Sequence, residues 1–192
     1  MEKLSKDYWK ERYQKNQIGW DLGEVSPPIK AYFDKVENKD LEIFIPGCGN
    51  GHEGRYLFNE GYMNIYLLDF ASEPLDTFYL NTPGFPKENL YNEDFFSHEG
   101  RYDIIVEQTL FCAIDPNIRS RYAQHLSKLL KPGGKVIGLL FNRSFVGGPP
   151  FGGNKEEYLT YFSPNFSKVK LEDCYNSISP RSGSELFIQL EK

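Results

Sequence analysis

The sequence predicts an α/β domain on a mostly parallel, seven-stranded sheet, with helices on both faces and an antiparallel hairpin at the C-terminal end. Three observations predict it. Candidate strands and helices alternate between residues 41 and 141, the pattern of βαβ units. A glycine-rich turn closes the segment Leu41–Gly51, LEIFIPGCGNG, directly after the first strand. Two late strands, near 168–176 and 184–191, flank a turn around Pro180–Gly183 and can pair with each other.

The elements follow in order. Residues 5–16 have helical character and carry aromatics on a polar background. Ser26-Pro27-Pro28 breaks the chain and starts a helix near 28–37. Leu41–Ile45 reads as a buried strand, and His52–Glu60 as a helix closed by Gly61. Ile65–Leu68 is the second strand, ending at Asp69, and a helix follows from Ser72-Glu73-Pro74 to about Leu80. After the loop Pro83–Pro86, Leu90–Asp94 is a weak third strand and Tyr102–Glu107, YDIIVE, a fourth. Asp115-Pro116 starts a helix that runs to Leu130. Lys131-Pro132-Gly133-Gly134 reads as a turn, Lys135–Phe141 as the fifth strand, and 142–153 as a long loop. A helix near 154–162 precedes the terminal hairpin.

Composition narrows the class. The 192 residues suit one domain, divided as an N-terminal helical lid (1–38) and a sheet core (39–192). No apolar run of 18 residues exists, so no membrane span is expected, and MEKLSKDYWKERYQK lacks the apolar stretch of a signal peptide. Three cysteines without a CxxC pair argue against a zinc site or a disulfide framework and suit a cytoplasmic protein. A net charge of −5 without a Lys/Arg block gives nucleic acid little to bind. Trp9, Tyr13 and Trp20 lie in a polar segment where core packing explains them poorly.

The glycine loop, Asp69, Asp94 and Glu107–Gln108 all fall at predicted carboxyl ends of strands, where such sheets bind ligands. A carboxylate about 20 residues past the glycines is placed to take both hydroxyls of a ribose. The cofactor is therefore a nucleoside. Position six of a G-x-G-x-x-G pattern is His52, and Glu53 puts negative charge where a diphosphate would dock. That disfavours an NAD-dependent oxidoreductase and suits S-adenosylmethionine, whose methionine tail carries an ammonium group. Asp94 and Phe95 would suit its adenine. His52-Glu53 is not a metal motif, and Cys112 sits in an apolar run as a core residue.

These residues resemble the thiopurine S-methyltransferase family, including the halide, thiol and thiocyanate methyltransferases, within the class I S-adenosylmethionine-dependent methyltransferases of Rossmann-like fold. The resemblance rests on Trp9…Tyr13…Gln17-Ile18-Gly19-Trp20, IPGCGNGHE (45–53), LLDFA (67–71), EDFF (93–96), YDIIVEQTLFCAIDPNIRSRYA (102–123), LLKPGGKVIGLLF (129–141) and GGPPF (147–151), spread over nearly the whole chain. LFCAIDP and GGPPF look closer to the halide/thiol branch. The resemblance implies that Trp9, Tyr13 and Trp20 close over the cofactor, with Tyr13 standing where relatives usually have Trp. It further implies that Gly47 and Gly49 face the methionine moiety, Asp69 the ribose, Asp94 and Phe95 the adenine, and Gln108 the sulfonium. Arg119 matches an arginine implicated in cofactor or substrate contact. Ile45 stands where many class I enzymes carry an acidic residue. Residues 148–151 are expected to form a rigid loop shaping the pocket.

The expected activity is methyl transfer to a small soft nucleophile such as a thiol, thiocyanate, a halide or a thiopurine-like sulfur, by a monomer acting on a small molecule. Soft anions need no general base. An O- or N-methyltransferase of the same fold would need one, with Glu107, His125 and Tyr122 as candidates. A non-catalytic cofactor-binding protein would keep the glycine loop and lack a reachable acceptor pocket.

Overall fold

The structure, a computed structural model, describes residues 4–192. Two N-terminal helices, α1 (Lys6–Gln14) and α2 (Pro27–Phe33), precede β1 (Ile43–Pro46), α3 (His52–Asn59), β2 (Ile65–Leu68), α4 (Ser72–Leu80) and β3 (Leu90–Tyr91). Then come β4 (Tyr102–Gln108), α5 (Arg119–Leu129), β5 (Leu130–Phe141), α6 (Lys155–Phe162), β6 (Lys168–Asp173) and β7 (Glu185–Glu191). The sheet order is β3-β2-β1-β4-β5-β7-β6. The first five strands pair in parallel, and β7 runs antiparallel to both β5 and β6.

Side-chain alternation explains why the sheet is covered on both faces. On β1, all four residues are buried, yet they serve two different cores. Phe44 joins a cluster with Ile105, Tyr122, Leu126 and Phe162, under α5 and α6. Ile43 and Ile45 join the opposite cluster with Ile29, Phe33, Leu57 and Phe78, under α2, α3 and α4. Burying one such side chain stabilises by about 1.5–3 kcal/mol, so a strand with no polar position has only one place in this sheet: its middle.

Four expectations shift. β3 shrinks to two residues because Asp94 accepts from Phe96 N–H at 2.9 Å and opens a 3-10 turn over Phe95–Ser97. The helix expected from Asp115 begins as a 3-10 turn at Pro116–Ile118 before α5. The expected turn at Lys131–Gly134 lies within β5 as a bulge: the register with β4 jumps from Tyr102↔Leu130 to Ile104↔Lys135, and Gly133 takes φ +75°. The lid boundary expected at residue 38 moves toward the N-terminus, because α2 buries Pro28, Ile29 and Phe33 in the body. α1, which has no buried residue, and the segment linking it to α2 lie outside the two cores.

The chain leaves β1 toward β2 and β3, then crosses to β4 and β5 on the other side. That reversal opens a crevice at the carboxyl ends of β1 and β4. Strand pairing there tolerates no added bulk. A Cβ at Gly138 on β5 would stand 2.0 Å from the Glu107 carbonyl oxygen on β4. Gly138→Ala should therefore cost about 2–3 kcal/mol in urea unfolding, the cost of overpacking a rigid interior. Gly133→Ala meets nothing within 4 Å and should cost only about 1 kcal/mol, for its positive φ alone. The reverse ranking would contradict the β4–β5 register.

Candidate active site

The floor of the crevice is the turn between β1 and α3. Gly47, Gly49 and Gly51 all have positive φ, at 61°, 53° and 69°. A Cβ on Gly49 would stand 3.2 Å from the Tyr13 hydroxyl, and one on Gly47 would stand 2.9 Å from Leu110. The loop is therefore bare because two other segments lie directly on it. Asp69, at the end of β2 and 7 % exposed, accepts hydrogen bonds from Gly49 N–H and Ala71 N–H, both at 2.9 Å. Burial pushes its carboxyl up to about 6, against the pull of those backbone donors.

The N-terminal aromatics meet over this loop. The Trp20 ring packs edge-on against Trp9 at 5.5 Å and Tyr13 at 5.7 Å. Burial, and then the Asp69 charge, raise the Tyr13 phenol above its ordinary range. Since α1 contributes nothing to either core, these rings do not serve to pack it on the sheet. α1 is laid across the molecule by Gln14 donating to Glu73 and Lys6 donating to Asn92, each at 3.0 Å. The next residue along, Asp21, accepts from Gly23 N–H at 2.6 Å and from Asn50, and pairs with His52 Nε2 at 2.7 Å.

The far wall follows β4. Gln108 lines the cleft, and its Oε1 is buried without a hydrogen-bond partner. Thr109 holds φ +65°, a left-handed conformation that costs a β-branched residue about 1–3 kcal/mol and that recurs where backbone is shaped for a ligand. Glu107 points the other way. It is 1 % exposed, with Oε1 accepting from Phe111 N–H at 2.9 Å and Oε2 accepting from the Tyr122 hydroxyl. It braces the 108–112 loop from beneath, and burial pushes its carboxyl up to about 7. The cleft between these walls is lined by Trp20, Leu22, Ile45, the glycine loop, Gln108 and Thr109, and opens to solvent.

Three candidate residues sit differently from their sequence reading. Arg119 is 1 % exposed and forms a clamp: Nη1 donates to Gly152 O and Glu157, Nη2 to Phe151 O, and the guanidinium lies 4.4 Å from the Phe111 ring centroid. It pins the 151–153 segment to α5 instead of facing the cleft. Phe95 is buried, with its ring on Tyr122 and His125, while Asp94 beside it is exposed. Glu53 is buried too, accepts from Ser26 N–H at 3.0 Å, and has its carboxyl raised by burial. It offers a diphosphate less repulsion than its sequence position suggests. Gly47, Gly49, Gln108 and Trp20 line one cleft; Asp69 and Tyr13 stand behind it against Gly49, and Trp9 against Trp20.

Sequence reasoning passed over Asp21, Asn50 and Thr109, and Arg181 sits in a turn whose sequence does not decide between the pocket and solvent. Arg181 approaches the same end of the sheet: Nη2 donates to Trp20 O at 2.9 Å, and the guanidinium lies 5.4 Å from the Phe141 ring centroid. No local pattern announces Asp21, Asn50 or Arg181, because each has a partner 29 or more positions away.

This fold, with a glycine loop and a buried strand-end carboxylate at its switch point, defines a class I S-adenosylmethionine-dependent methyltransferase. Its likeness to a solved magnesium protoporphyrin IX methyltransferase from Synechocystis, holding S-adenosylhomocysteine, covers 97 % of this chain and 99 % of that one, at TM-score 0.73 and 11 % identity. The chain belongs to the thiopurine S-methyltransferase family, whose model, Thiopurine S-methyltransferase (TPMT), matches residues 4–186. It is 29 % identical over 194 residues to Probable thiol methyltransferase 2 of Arabidopsis thaliana, covering 96 % of this chain and 84 % of that protein. It is 27 % identical over 183 residues to Thiocyanate methyltransferase 1 of Brassica oleracea, covering 92 % and 81 %. The chain is thus an S-adenosylmethionine-dependent S-methyltransferase.

Glu107 gives the site a pH signature. Its folded-state carboxyl lies above the ordinary 4.5, so its contribution to stability is present below that value and is lost as pH rises through about 7. The stability of the protein relative to Glu107→Gln should therefore fall between pH 5 and pH 8, measured by urea unfolding. A difference independent of pH would show that Glu107 is not held as this geometry requires.

Proposed function

We propose that the protein transfers a methyl group from S-adenosylmethionine to a small soft nucleophile: a thiol, hydrosulfide, thiocyanate or a halide. The carrying observation is the placement of the three side chains that could have served as a base. Glu107 and Tyr122 are bonded to each other beneath the 108–112 loop, and His125 packs against Phe95. What faces the cleft from β4 is a neutral amide, Gln108. A hydroxyl or amine acceptor must shed a proton to react well, whereas a soft anion needs only exclusion of water and alignment.

The cofactor supplies an electrophilic methyl on a sulfonium. Asp69 would hold the ribose hydroxyls, and the Gly47–Gly49 turn would admit the methionine moiety where a Cβ would intrude. Asp94 would reach the adenine, and Trp9, Tyr13 and Trp20 would cover the assembly. The orphaned Gln108 Oε1 fits a site that expects a hydrogen-bond donor from a ligand. For the incoming anion we assign the nearby cation to Arg181, because Arg119 is spent on its clamp. That clamp and the hydrogen bond from Phe151 N–H to Cys112 O, 2.7 Å, draw the 142–153 loop down over the acceptor side and favour small acceptors. Three free cysteines are consistent with a reducing cytoplasm.

Two measurements test this. Calorimetry should show S-adenosylhomocysteine binding with little or no NAD binding. Its affinity should be flat above pH 7 and fall as pH drops through about 6, where Asp69 takes up a proton. Asp69→Ala should lose about 1.5–3 kcal/mol of that affinity, the worth of charge-assisted hydrogen bonds. Tight NAD binding, or an Asp69→Ala protein with unaltered affinity, would remove this assignment.

The acceptor is tested by rate against pH at saturating cofactor. Thiol turnover should climb as the thiolate fraction rises toward a free pKa of about 8.5. Thiocyanate and iodide, already anions, should turn over at rates nearly independent of pH. Arg181→Ala should weaken anionic acceptors more than neutral ones. Activity confined to hydroxyl or amine acceptors, with a bell-shaped profile, would replace this reading with base-assisted O- or N-methyl transfer.

A further inference from the structure

The lid poses an energetic problem. α1 buries no side chain, and residues 15–25 form no regular element, so apolar burial does little to hold this segment on the body. Its ties to α4 and to the loop after β3 are exposed polar contacts, which contribute little in water. The Asp21 cluster differs. The Asp21 and His52 side chains are only 14 % and 17 % exposed, and they join the segment just past Trp20 to the first residue of α3. Both carboxylate oxygens are used: Oδ1 by His52 and Gly23 N–H, Oδ2 by Asn50. His52 and Asn50 belong to the same turn as Gly49 and Gly51.

We infer that Asp21, His52 and Asn50 form a latch that fastens the aromatic lid to the cofactor loop, making Asp21 and His52 positioning residues for the cofactor. The inference rests on the proposed cofactor site and extends it. The carboxylate is ionised well into acid, because the bond from His52 holds its pKa down to about 2. An ionised carboxylate only accepts, so His52 Nε2 carries the proton and donates. Asp21 also lies at the N-terminus of α3, where a negative charge is favoured by the helix dipole. On the other side of the joint, Arg181 holds the Trp20 carbonyl. The backbone that carries the Trp20 ring is thus fixed at two successive residues, from the C-terminal hairpin turn and from the glycine loop. Any movement of the glycine loop is carried to Trp20, and the reverse holds as well.

The chain supplies its own reporter. Its two tryptophans, Trp9 and Trp20, are both in the lid and in contact with each other, so intrinsic fluorescence reads lid position and little else. Three variants define the test: Asp21→Asn, which removes the charge, His52→Ala, which removes the donor, and His52→Gln, which keeps a donor. In the free protein, trypsin should cut at Lys10, Arg12 and Lys15 several-fold faster in Asp21→Asn and His52→Ala than in the wild type. In both variants the dissociation constant of S-adenosylhomocysteine should rise about tenfold, the loss of one charge-assisted hydrogen bond, through faster release read by tryptophan fluorescence. The KM for S-adenosylmethionine should rise while kcat changes less. Melting temperatures should stay within about 2–4 °C of the wild type, because neither core is touched. His52→Gln should recover most of both effects.

Unchanged lid cleavage in Asp21→Asn and His52→Ala would overturn the latch. So would a His52→Gln protein as loose as His52→Ala, since the imidazole would then act by packing alone. If the wild type fails to bind S-adenosylhomocysteine while Asp21→Asn still loosens the lid, the cofactor assignment fails and the latch stands.

Discussion

The site depends on one buried carboxylate and the two backbone amides that it receives. Asp69 ties Gly49 in the glycine loop to Ala71 at the start of α4, and so sets the distance between the ends of β1 and β2. Burying that charge is unfavourable, and the rise of its carboxyl to about 6 expresses the cost. The cost is met by donors that cannot move, because both belong to the main chain beside packed helices. The same geometry keeps the glycine loop open in the absence of a ligand. A loop of three positive-φ glycines would otherwise have many conformations to lose on binding.

Around that point the structure divides its buried polar groups between two tasks. Glu107 and Tyr122 are satisfied inward, and Arg119 donates inward from both Nη atoms while its buried Nε has no partner. They fix the 108–112 and 151–153 segments, and none of the three lines the cleft. Gln108 and the strained Thr109 are left on the cleft side of the same strand end. Glu107 and Gln108 are adjacent, and strand alternation sends them to opposite faces. Ligand-facing groups can stay under-satisfied because the neighbouring groups, satisfied inward, hold the backbone in place.

The sheet was legible in the sequence because each central strand had a distinctive pattern. Ile43–Ile45 and Ile104–Val106 are short uninterrupted apolar runs, the mark of a strand buried on both faces. The glycine loop and Asp69 were legible because their chemistry is local: a turn after a strand, and a carboxylate at a strand end. Other features failed for physical reasons. Pro132-Gly133-Gly134 has turn composition, yet a bulge also needs a positive φ, and local composition does not distinguish the two. α2 belongs to the body because Ile29 and Phe33 find partners on β1 and β4, which are distant in sequence. Arg119 was expected at the ligand only through the family resemblance, which matches it to an arginine implicated in cofactor or substrate contact. Its burial depends on three acceptors more than 30 residues away.

Such long-range acceptors also explain how a chain of net charge −5 can serve an anionic acceptor. Net charge governs approach from a distance and is screened beyond about 10 Å at ordinary salt. Inside the cleft the local arrangement decides. Glu107 carries less than its formal charge near neutrality, since burial raises its carboxyl to about 7, and Glu53 is shifted in the same direction. Asp21 remains ionised but is neutralised by donors from His52, Asn50 and Gly23. Arg181 has a carbonyl and a longer contact to Glu185, 3.4 Å, as its partners, so its charge is less completely spent than that of Arg119. Glu107, Glu53 and Asp21 are thus muted by burial or by donors, Glu24 is a cleft-lining carboxylate that stays exposed, and the charge of Arg181 beside Trp20 is only partly used. This electrostatic arrangement favours a soft anion over an acceptor that must first surrender a proton.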